Sequence, residues 1–332
     1  MSDVSPLTEA QETFINAVTA GNVGNKIIPI EDALGRTTAK NVVAPEDSPA
    51  YHRAIVEGFI VHTADTQGAS EDNPIRFNIT GTVKPGDSRC PSFNNGEAIE
   101  VTTGAIISDG PVAIVRMWEA QRDGDSFTIR RPFPPRFFIE DQGCDAAKGS
   151  SIIDAGTVLH AQHIGTLASL GIHEIDVSRP VRVSLFASGD EVIPYDATFR
   201  PGLIRDCNSP MLAAAVTAAG GEAAQGGIKG DNFDAFVSAV RQALEDADMI
   251  VISGGTAVGG RDFISDLIRE VGELLIDGVP MKSGRPLIMG IADGKPIVCV
   301  AGHPPEALRG FRLFGAPAMS KLMGRVEALP SD

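Results

Sequence analysis

Several groups of polar and acidic residues follow short apolar segments in the carboxy-terminal half of this sequence. Three of these groups contain an aspartate, at Asp190, Asp206 and Asp262, and another contains Lys282 and Arg285. Carboxylate oxygens bind Mg²⁺, and lysine and arginine bind phosphate oxygens. Any single aspartate is more often a helix cap or a turn residue, so the signal is their shared position after predicted strands. The set suits a phosphate-containing ligand bridged by Mg²⁺.

A glycine-rich loop covers residues 253–261, between an apolar run at 249–252 and apolar residues at helical spacing from Phe263 to Val271. The pattern predicts a strand, a loop and a helix. Four glycines let backbone N–H groups approach a ligand closely, and a helix start adds partial positive charge, which suits an oxyanion. An ordinary glycine-rich turn fits the loop equally well. Because the loop lacks a GK[ST] ending, it is not a P-loop.

The elements around these groups predict an α/β fold. From Pro180 onward, predicted strands alternate with predicted helices, which indicates a doubly wound, mostly parallel sheet. Ligands of such sheets bind outside the carboxyl ends of the strands. The polar groups expected at these ends are Ser188 with Gly189, Asp190 and Glu191; Asp206 with Asn208 and Ser209; residues 253–262; residues 282–286; and residues 302–304.

The first half of the chain has a different character. Leu7, Phe14, Ile15 and Val18 lie on one face of a predicted amino-terminal helix, and short β segments separated by turns follow from about residue 48 to 131. A second amphipathic helix within residues 150–170 is expected to pack on the first. We therefore expect a discontinuous α/β domain of residues 1–47 plus 132–178, a small β-rich domain of residues 48–131 with Trp118 half-buried, and a doubly wound domain of residues 179–326.

Composition excludes some classes of function. The 332 residues carry a formal net charge of −15, which argues against nonspecific binding to nucleic acid or anionic membranes. The four cysteines lack the spacing of zinc or redox pairs, so we expect reduced thiols in the cytoplasm. We expect no signal peptide, because the first residues are acidic and polar, and no membrane span, because no apolar run approaches about 20 residues.

An ordered set of motifs resembles the molybdopterin molybdotransferase family, which includes the E domain of gephyrin. The resemblance covers almost the whole chain, and its specificity comes from the order of the motifs. They are IEDALGR at residues 30–36, the adjoining block at 41–61, VTTGA at 101–105, QGCDAAKG at 142–149, LASLGI at 167–172, SGDEV at 188–192, IRDCNSPML at 204–212, SGGTAVGGRDF at 253–263, MKSGRPLIMG at 281–290 and VAGHPPEAL at 300–308.

The resemblance implies an enzyme of molybdenum cofactor biosynthesis that takes adenylylated molybdopterin and molybdate, hydrolyses the adenylate with Mg²⁺ present and releases AMP. It implies a homodimer whose amino-terminal domain dimerises and whose sheet domain binds molybdopterin; other proteins of the same pathway are possible partners. Asp190, Asp206 and Asp262 would be catalytic, with Asp190 and Asp206 as metal ligands. The residues that would bind substrate are Glu57 and Thr103, from the partner subunit, with Ser188, Gly189, Asn208, Ser253, Gly254, Gly255, Gly259, Lys282, Ser283, Arg285, Gly302, His303 and Pro304.

The chain departs from the family pattern at several positions. Glu57 replaces an aspartate, Cys144 a glutamate, Ala301 a proline, His303 an asparagine and Glu306 a serine. The sequence also stops at the point where the family's small carboxy-terminal β domain is expected, so we expect that domain to be absent. Cys144, Glu306 and the missing domain favour an alternative, a molybdopterin-binding carrier without insertion chemistry. The retained charged residues Asp190, Asp206, Asp262, Lys282 and Arg285 favour the transferase. A hydrolase of another nucleotide is a third and weaker hypothesis.

Overall fold

The computed structural model describes residues 6–230, 232–255, 263–281 and 284–325. The α-helices of the described residues are α1 Pro6–Ala17, α2 Ala161–Ser169, α3 Asn208–Ala218, α4 Phe233–Asp246, α5 Phe263–Val271, α6 Pro304–Gly310 and α7 Ala316–Leu322, with a π-helical turn at Phe311–Gly315 and 3-10 helices at Ile30–Asp32, Thr63–Thr66 and Met117–Glu119. Among these described residues, no helix is both long and apolar enough to cross a membrane.

The strands are β1 Asn25–Pro29, β2 Val42–Val43, β3 Arg53–Ala54, β4 Gly58–His62, β5 Ile75–Val83, β6 Glu97–Val101, β7 Val112–Arg116, β8 Gln121–Asp123, β9 Ser126–Ile129, β10 Ile139–Glu140, β11 Ser151–Ile153, β12 Glu174–Ser178, β13 Arg182–Ser188, β14 Val192–Ile193, β15 Ile204–Arg205, β16 Glu222–Lys229, β17 Met249–Gly254, β18 Glu273–Met281, β19 Gly284–Ala292 and β20 Lys295–Val300.

The chain forms two compact units. The first unit contains Met1–Asn41, Ile153–Gly165 and Ile172–Asp332, and the second contains Val42–Ile152 and Thr166–Gly171. The three-part division expected from the sequence is finer than these two units and stays a prediction.

The second unit is built on a six-stranded sheet in the order β7-β4-β6-β5-β9-β8. Strands β5 and β6 run parallel, and the other neighbours are antiparallel. Both faces of the sheet are buried: Phe59 and Val61 of β4 belong to one apolar cluster, and Ile60 between them belongs to the other. Successive side chains of a strand point to opposite faces, so this run of apolar residues can serve two cores at once.

The first unit is built on a second six-stranded sheet, in the order β16-β13-β17-β20-β19-β18. The strands β16, β13, β17 and β20 are parallel, whereas β19 and β18 are added antiparallel at one edge. Helices cover both faces. One core contains residues of α1, α3, the π-helical turn and α7, and the other contains residues of α4 and α5. The predicted doubly wound α/β sheet is confirmed, except that β19 pairs antiparallel with both of its neighbours, β20 and β18.

The amino-terminal helix α1 belongs to the core of this sheet. Phe14 is fully buried with its ring centroid 6.3 Å from that of Phe314, and the buried Gln11 Nε2 donates to the carbonyl oxygen of Leu313 at 3.0 Å. We expected α1 to pack on the helix within residues 150–170. Its buried apolar face, which includes Ile15, instead joins the core that also contains the last helices of the chain.

The antiparallel edge has a local cause that the alternation of strands and helices does not reveal. Strands β19 and β20 are joined by Asp293 and Gly294, whose φ angles are 50° and 75°. Two consecutive residues with positive φ form the type I′ turn of a two-residue hairpin, which requires antiparallel strands. The Asp-Gly pair is the sequence signal for this hairpin.

The backbone conformations of Gly294, in this turn, and Gly165, in α2, predict opposite effects of substitution by alanine. No atom lies within 4 Å of a Cβ built on Gly294 or on Gly165, but only Gly294 has positive φ. Gly294→Ala should lower the free energy of unfolding by about 1 kcal/mol, because an L side chain is strained in the left-handed region. Gly165→Ala, within α2, should raise it by about 0.5–1 kcal/mol. Urea unfolding of both variants measures this, and equal effects would contradict the assigned turn.

Candidate functional site

The ends of three parallel strands meet at one edge of the first unit's sheet. Ser188 ends β13 and pairs with Gly254, which ends β17, and Ser253 pairs with Val300, which ends β20. A Cβ built on Gly254 would lie 2.8 Å from the carbonyl oxygen of Ser188 and 4.0 Å from the Cα of Gly302. The structure therefore brings together three of the groups that the sequence places after strands.

Backbone conformation at this edge requires glycine. Gly254 and Gly255 have φ angles of +86° and +76°, in the left-handed region that disfavours other residues. A Cβ on Gly255 would also lie 2.8 Å from the Oγ of Ser188, so a side chain there would collide with the hydroxyl. The lack of a side chain at these two positions leaves room for the hydroxyl of Ser188.

Two buried polar atoms in this region have no hydrogen-bond partner among the described residues. They are the Oγ of Ser188 and the Oδ1 of Asn208. The other amide atom of Asn208, Nδ2, donates to the carbonyl oxygen of Gly302 at 2.8 Å, which holds the side chain between α3 and the end of β20. Buried polar atoms usually have a partner, so this pair indicates a site built to bind a polar ligand.

The aspartates predicted as metal ligands differ in environment. Asp206 is buried, and its Oδ1 accepts a hydrogen bond from the backbone N–H of Ser209 at 3.0 Å at the start of α3. Asp190 is exposed beside Gly230, where any side chain would collide with its carboxylate. The parallel pairing of β14 with β15 joins the two loops that carry these aspartates.

Part of the predicted metal site lies outside the described residues. Within residues 6–230, 232–255, 263–281 and 284–325, no group of three His, Cys, Asp or Glu side chains is placed to hold a metal ion. Gly259, Asp262, Lys282, Ser283 and the side chain of Arg285 lie outside the described residues. Mg²⁺ binding by Asp190 and Asp206 stays a prediction, and so do the roles of these five.

The remaining predicted residues of this edge flank the strand ends. Gly189 follows β13, with its N–H donating to the carbonyl oxygen of Lys229 at 3.0 Å, and Ser253 is buried within β17. Pro304 begins α6, and the exposed His303 precedes it without a capping hydrogen bond from its side chain. The Sγ of Cys299 lies 3.5 Å from the carbonyl oxygen of Gly254, but burial raises the pKa of this thiol to about 12, so it remains protonated.

The second unit brings Glu57 and Thr103 to one end of its sheet. Glu57 precedes β4, which lies between β6 and β7 and runs antiparallel to both, so the start of β4 adjoins the ends of its two neighbours. Thr103 follows the end of β6 by two residues, and both side chains are exposed. The Oη of Tyr51 donates to the carbonyl oxygen of Gly104 at 3.2 Å and holds the turn after Thr103.

Sequence reasoning missed a residue at the same end of this sheet. Trp118 follows the end of β7 by two residues and is 71% exposed, so the expectation that it is half-buried is wrong. Two residues earlier, Arg116 donates from Nε to the Oε2 of Glu119 at 2.7 Å, and this hydrogen bond is the first cause that lowers the pKa of Glu119. In the sequence, the available signal for an exposed tryptophan was its place between Arg116 and Glu119, directly after the apolar residues of β7.

Comparison with known proteins agrees with this architecture. The family profile described as the MoeA N-terminal region (domain I and II) matches residues 5–171, and the profile of a probable molybdopterin binding domain matches residues 184–321. The chain belongs to the MoeA family of molybdopterin molybdenumtransferases. This is a family of enzymes of molybdenum cofactor biosynthesis, so the expected family and enzyme class are confirmed.

Individual relatives of this MoeA-family chain align along nearly all of it. The molybdopterin molybdenumtransferase of Staphylococcus aureus (strain Mu50 / ATCC 700699) is 29% identical over 98% of this chain and 77% of its own length. A solved molybdopterin biosynthesis MoeA protein from Pyrococcus horikoshii OT3 has a TM-score of 0.83 at 26% identity, covering 98% of this chain and 80% of that chain. Another solved MoeA protein of Pyrococcus horikoshii has a TM-score of 0.79 at 30% identity, covering 97% and 81%.

The unpartnered hydroxyl of Ser188 predicts that stability and binding respond differently to its removal. Ser188→Ala should leave the melting temperature unchanged or raise it, because a buried hydroxyl without a partner costs about 1–3 kcal/mol. Binding of AMP, a phosphate-containing probe, should weaken about tenfold through loss of one hydrogen bond. Calorimetry measures both effects. Ser184→Ala, four residues earlier on β13, is the matched control; equal AMP affinity in the two variants would contradict a binding role for Ser188.

The ion pairs of Glu119 predict a pH-dependent contribution to stability. Hydrogen bonds from Arg116 and Arg131 lower the pKa of Glu119 below its ordinary value of 4.5. Its contribution is therefore complete above pH 4.5 and is lost as the pH falls through the lowered pKa. Glu119→Gln should cost about 1 kcal/mol at pH 7, and the difference from the unmodified protein should vanish at low pH.

Urea unfolding between pH 7 and pH 3 measures the effect of Glu119→Gln. Glu71→Gln is the matched control, because Glu71 pairs with Arg130 in the same unit but its side chain is 79% exposed, so little change is expected at any pH. A difference between Glu119→Gln and the unmodified protein that stays constant down to pH 3 would contradict the ion-pair interpretation.

Proposed function

We propose that this enzyme inserts molybdenum from molybdate into adenylylated molybdopterin and releases AMP in a Mg²⁺-dependent reaction. The observation that carries the proposal is that two buried atoms, Ser188 Oγ and Asn208 Oδ1, have no hydrogen-bond partner in the described part of the chain and lie near the left-handed Gly254 and Gly255. These residues lie inside the region that resembles a molybdopterin binding domain. The names of the relatives supply molybdopterin and molybdenum as the substrate class.

The groups at the sheet edge match the parts of such a substrate. The backbone N–H groups of the glycine-rich loop are suited to phosphate oxygens, because glycine allows close approach and the helix after the loop favours negative charge. The hydroxyl of Ser188 can donate one hydrogen bond, and the Oδ1 of Asn208 accepts one from a ring N–H or an N–H₂ group. The edge thus offers both donors and acceptors to a ligand that contains a heterocycle and a phosphate.

The carboxylates complete the proposal. Asp190 and Asp206 would hold Mg²⁺, which supplies positive charge to the phosphoryl oxygens when bound, and Asp262 would be a further catalytic carboxylate. Asp206 is already oriented by its hydrogen bond from the Ser209 N–H, so it need not reorganise to accept a cation. Lys282 and Arg285 would hold further anionic oxygens. We also propose a homodimer in which Glu57 and Thr103 reach the site from the partner subunit.

The test is AMP release from adenylylated molybdopterin by the purified protein with Mg²⁺, with and without molybdate. Asp206→Asn should lower molybdate-dependent release about 10²-fold to 10³-fold, because it removes charge stabilisation at the phosphoryl group. The substitution keeps an oxygen that can accept the hydrogen bond from Ser209 N–H, so folding should be retained. Glu245→Gln, exposed near the carboxyl end of α4 at the opposite edge of the sheet, should release AMP at the unmodified rate.

Mixed dimers test whether the site is shared. Each homodimer of Glu57→Gln and of Asp206→Asn should be impaired, whereas a mixed dimer has one cleft in which both residues are intact. Activity that reappears on mixing, up to about half of that of the unmodified dimer, supports the shared site. A verified mixed dimer that is no more active than either homodimer would contradict the shared site.

The alternative is a protein that holds molybdopterin without inserting the metal. Its support is Glu306, which lies in the first turn of α6 directly after the loop of Gly302 and His303. A carboxylate there would repel molybdate if the anion bound at this helix. Tight binding of adenylylated molybdopterin without release of AMP would favour this alternative over the transferase.

A further inference from the structure

Trp118 is unusual because it is the single tryptophan of the chain and 71% of it is exposed. It lies in the 3-10 helix Met117–Glu119, directly after β7. A single exposed apolar side chain needs no explanation by itself, so a binding role for Trp118 has to rest on its neighbours and its place in the sheet; tryptophan is enriched at interfaces because it offers a large apolar face with one polar end.

The indole ring is held in place by its neighbour Arg116. The guanidinium carbon of Arg116 lies 4.8 Å from the centroid of Trp118 and 4.6 Å from that of Phe138, so the cation is placed between two aromatic rings. Glu119 fixes Arg116 by accepting from its Nε at 2.7 Å. Such cation–π contacts orient the ring without covering it, since one face of the indole packs on Arg116 and most of its surface remains in solvent.

A second arginine shares the same carboxylate. Arg131 donates from Nε to the Oε1 of Glu119 at 3.0 Å and packs over the ring of Phe133 at 4.1 Å. Two guanidinium groups around one carboxylate leave this cluster with one net positive charge, on a chain whose formal net charge is −15. The ring of Trp118 therefore lies against a guanidinium group, which is suited to pair with a phosphate oxygen of a ligand.

The backbone under Arg116 is strained. Phe138 has a φ of 59° and Arg136 a φ of 62°, both in the left-handed region although neither residue is glycine. Three backbone hydrogen bonds hold the segment: Arg136 N to Val112 O at 2.8 Å, Ile114 N to Phe137 O at 3.0 Å and Ile55 N to Phe138 O at 3.1 Å. Strained backbone that its surroundings hold in one conformation is concentrated at functional sites. Here it presents the ring of Phe138 to Arg116.

The position of Trp118 points to the ligand. Trp118 and Thr103 follow the two neighbours of β4, and the carbonyl oxygen of Glu57, which precedes β4, accepts from Met117 N at 3.4 Å. The exposed ring thus lies at the same end of the sheet as the two residues of this unit that we propose to bind substrate.

We infer that Trp118, oriented by Arg116, is a stacking residue for a planar heteroaromatic ring that carries a phosphate. This inference rests on the proposed function, which supplies two such rings, the pterin and the adenine of the adenylate. Arg116 and Arg131 contribute the positive charge that favours the phosphorylated ligand. A protein partner would require an extended complementary surface, whereas Glu57 and Thr103, at the same end of the sheet as the ring, offer polar groups that a small ligand can use.

Tryptophan fluorescence reports on this site directly, because Trp118 is the single tryptophan of the sequence and can be excited selectively over the two tyrosines. AMP represents the adenine half of the ligand and pterin-6-carboxylate the pterin half. Stacking of adenine should quench the emission in a saturable way as AMP is added. The pterin absorbs in the region of tryptophan emission, so its affinity is measured by calorimetry. The probe that binds identifies which ring Trp118 receives.

Variants separate stacking from other contributions. Trp118→Ala should weaken binding of the recognised probe about tenfold, as for loss of a base stacked on an aromatic ring. Trp118→Phe should restore affinity to within about threefold, because a smaller aromatic face remains. Leu34→Ala, which truncates an exposed apolar side chain in the other unit, should bind like the unmodified protein. Because Trp118 is exposed, its substitution should leave the melting temperature unchanged.

Each outcome bears on the inference. Equal affinity of Trp118→Ala and the unmodified protein for both probes, with AMP release intact, would overturn the stacking role and leave the proposed function standing. Stacking without AMP release would support the inference and contradict the transferase chemistry. A blue shift of the emission that grows with protein concentration in the absence of either probe would mean that a second copy covers the ring, and would overturn a ligand role.

Discussion

The parallel pairing of β13, β17 and β20 is the constraint on which the candidate site depends. Parallel neighbours end at the same edge, so the residues after each strand become neighbours although they are far apart in sequence. The pairing of Ser188 with Gly254 brings two loops so close that a Cβ on Gly254 would lie 2.8 Å from the carbonyl oxygen of Ser188. Glycine at these positions is therefore a consequence of the sheet geometry as much as of any ligand.

Much of the sheet could be predicted from local sequence patterns, because its physical basis is local. A short apolar run such as Val183 to Phe186 is typical of a strand that is buried on both faces, and the helical spacing from Phe263 onward determines which face of α5 is buried. The antiparallel edge was not predicted, although the Asp293–Gly294 turn decides it. Alternating strand and helix patterns indicate parallel strands only where a helix connects them, and β19 and β20 are joined without one.

The candidate site was predictable in part. The groups after the strands were identified, because carboxyl ends of parallel strands follow from topology. The unpartnered atoms of Ser188 and Asn208 could not be, since burial and the absence of partners depend on tertiary packing. Trp118 was expected to be half-buried because that is its usual environment. Its proximity to Glu57 depends on the order β7-β4-β6, which local patterns do not encode.

The contact of Gln11 and Phe14 with Leu313 and Phe314 has a consequence for how the chain folds during synthesis. The hydrogen bond of Gln11 spans 302 residues, so the ribosome must make nearly the whole chain before α1 can reach its place in the core. Until then the apolar face of α1 lacks the carboxy-terminal residues on which it packs. Residues 42–152, by contrast, can complete their own sheet much earlier. Contacts of such long range slow folding and expose apolar surface meanwhile, which makes nascent chains of this protein candidates for chaperone binding.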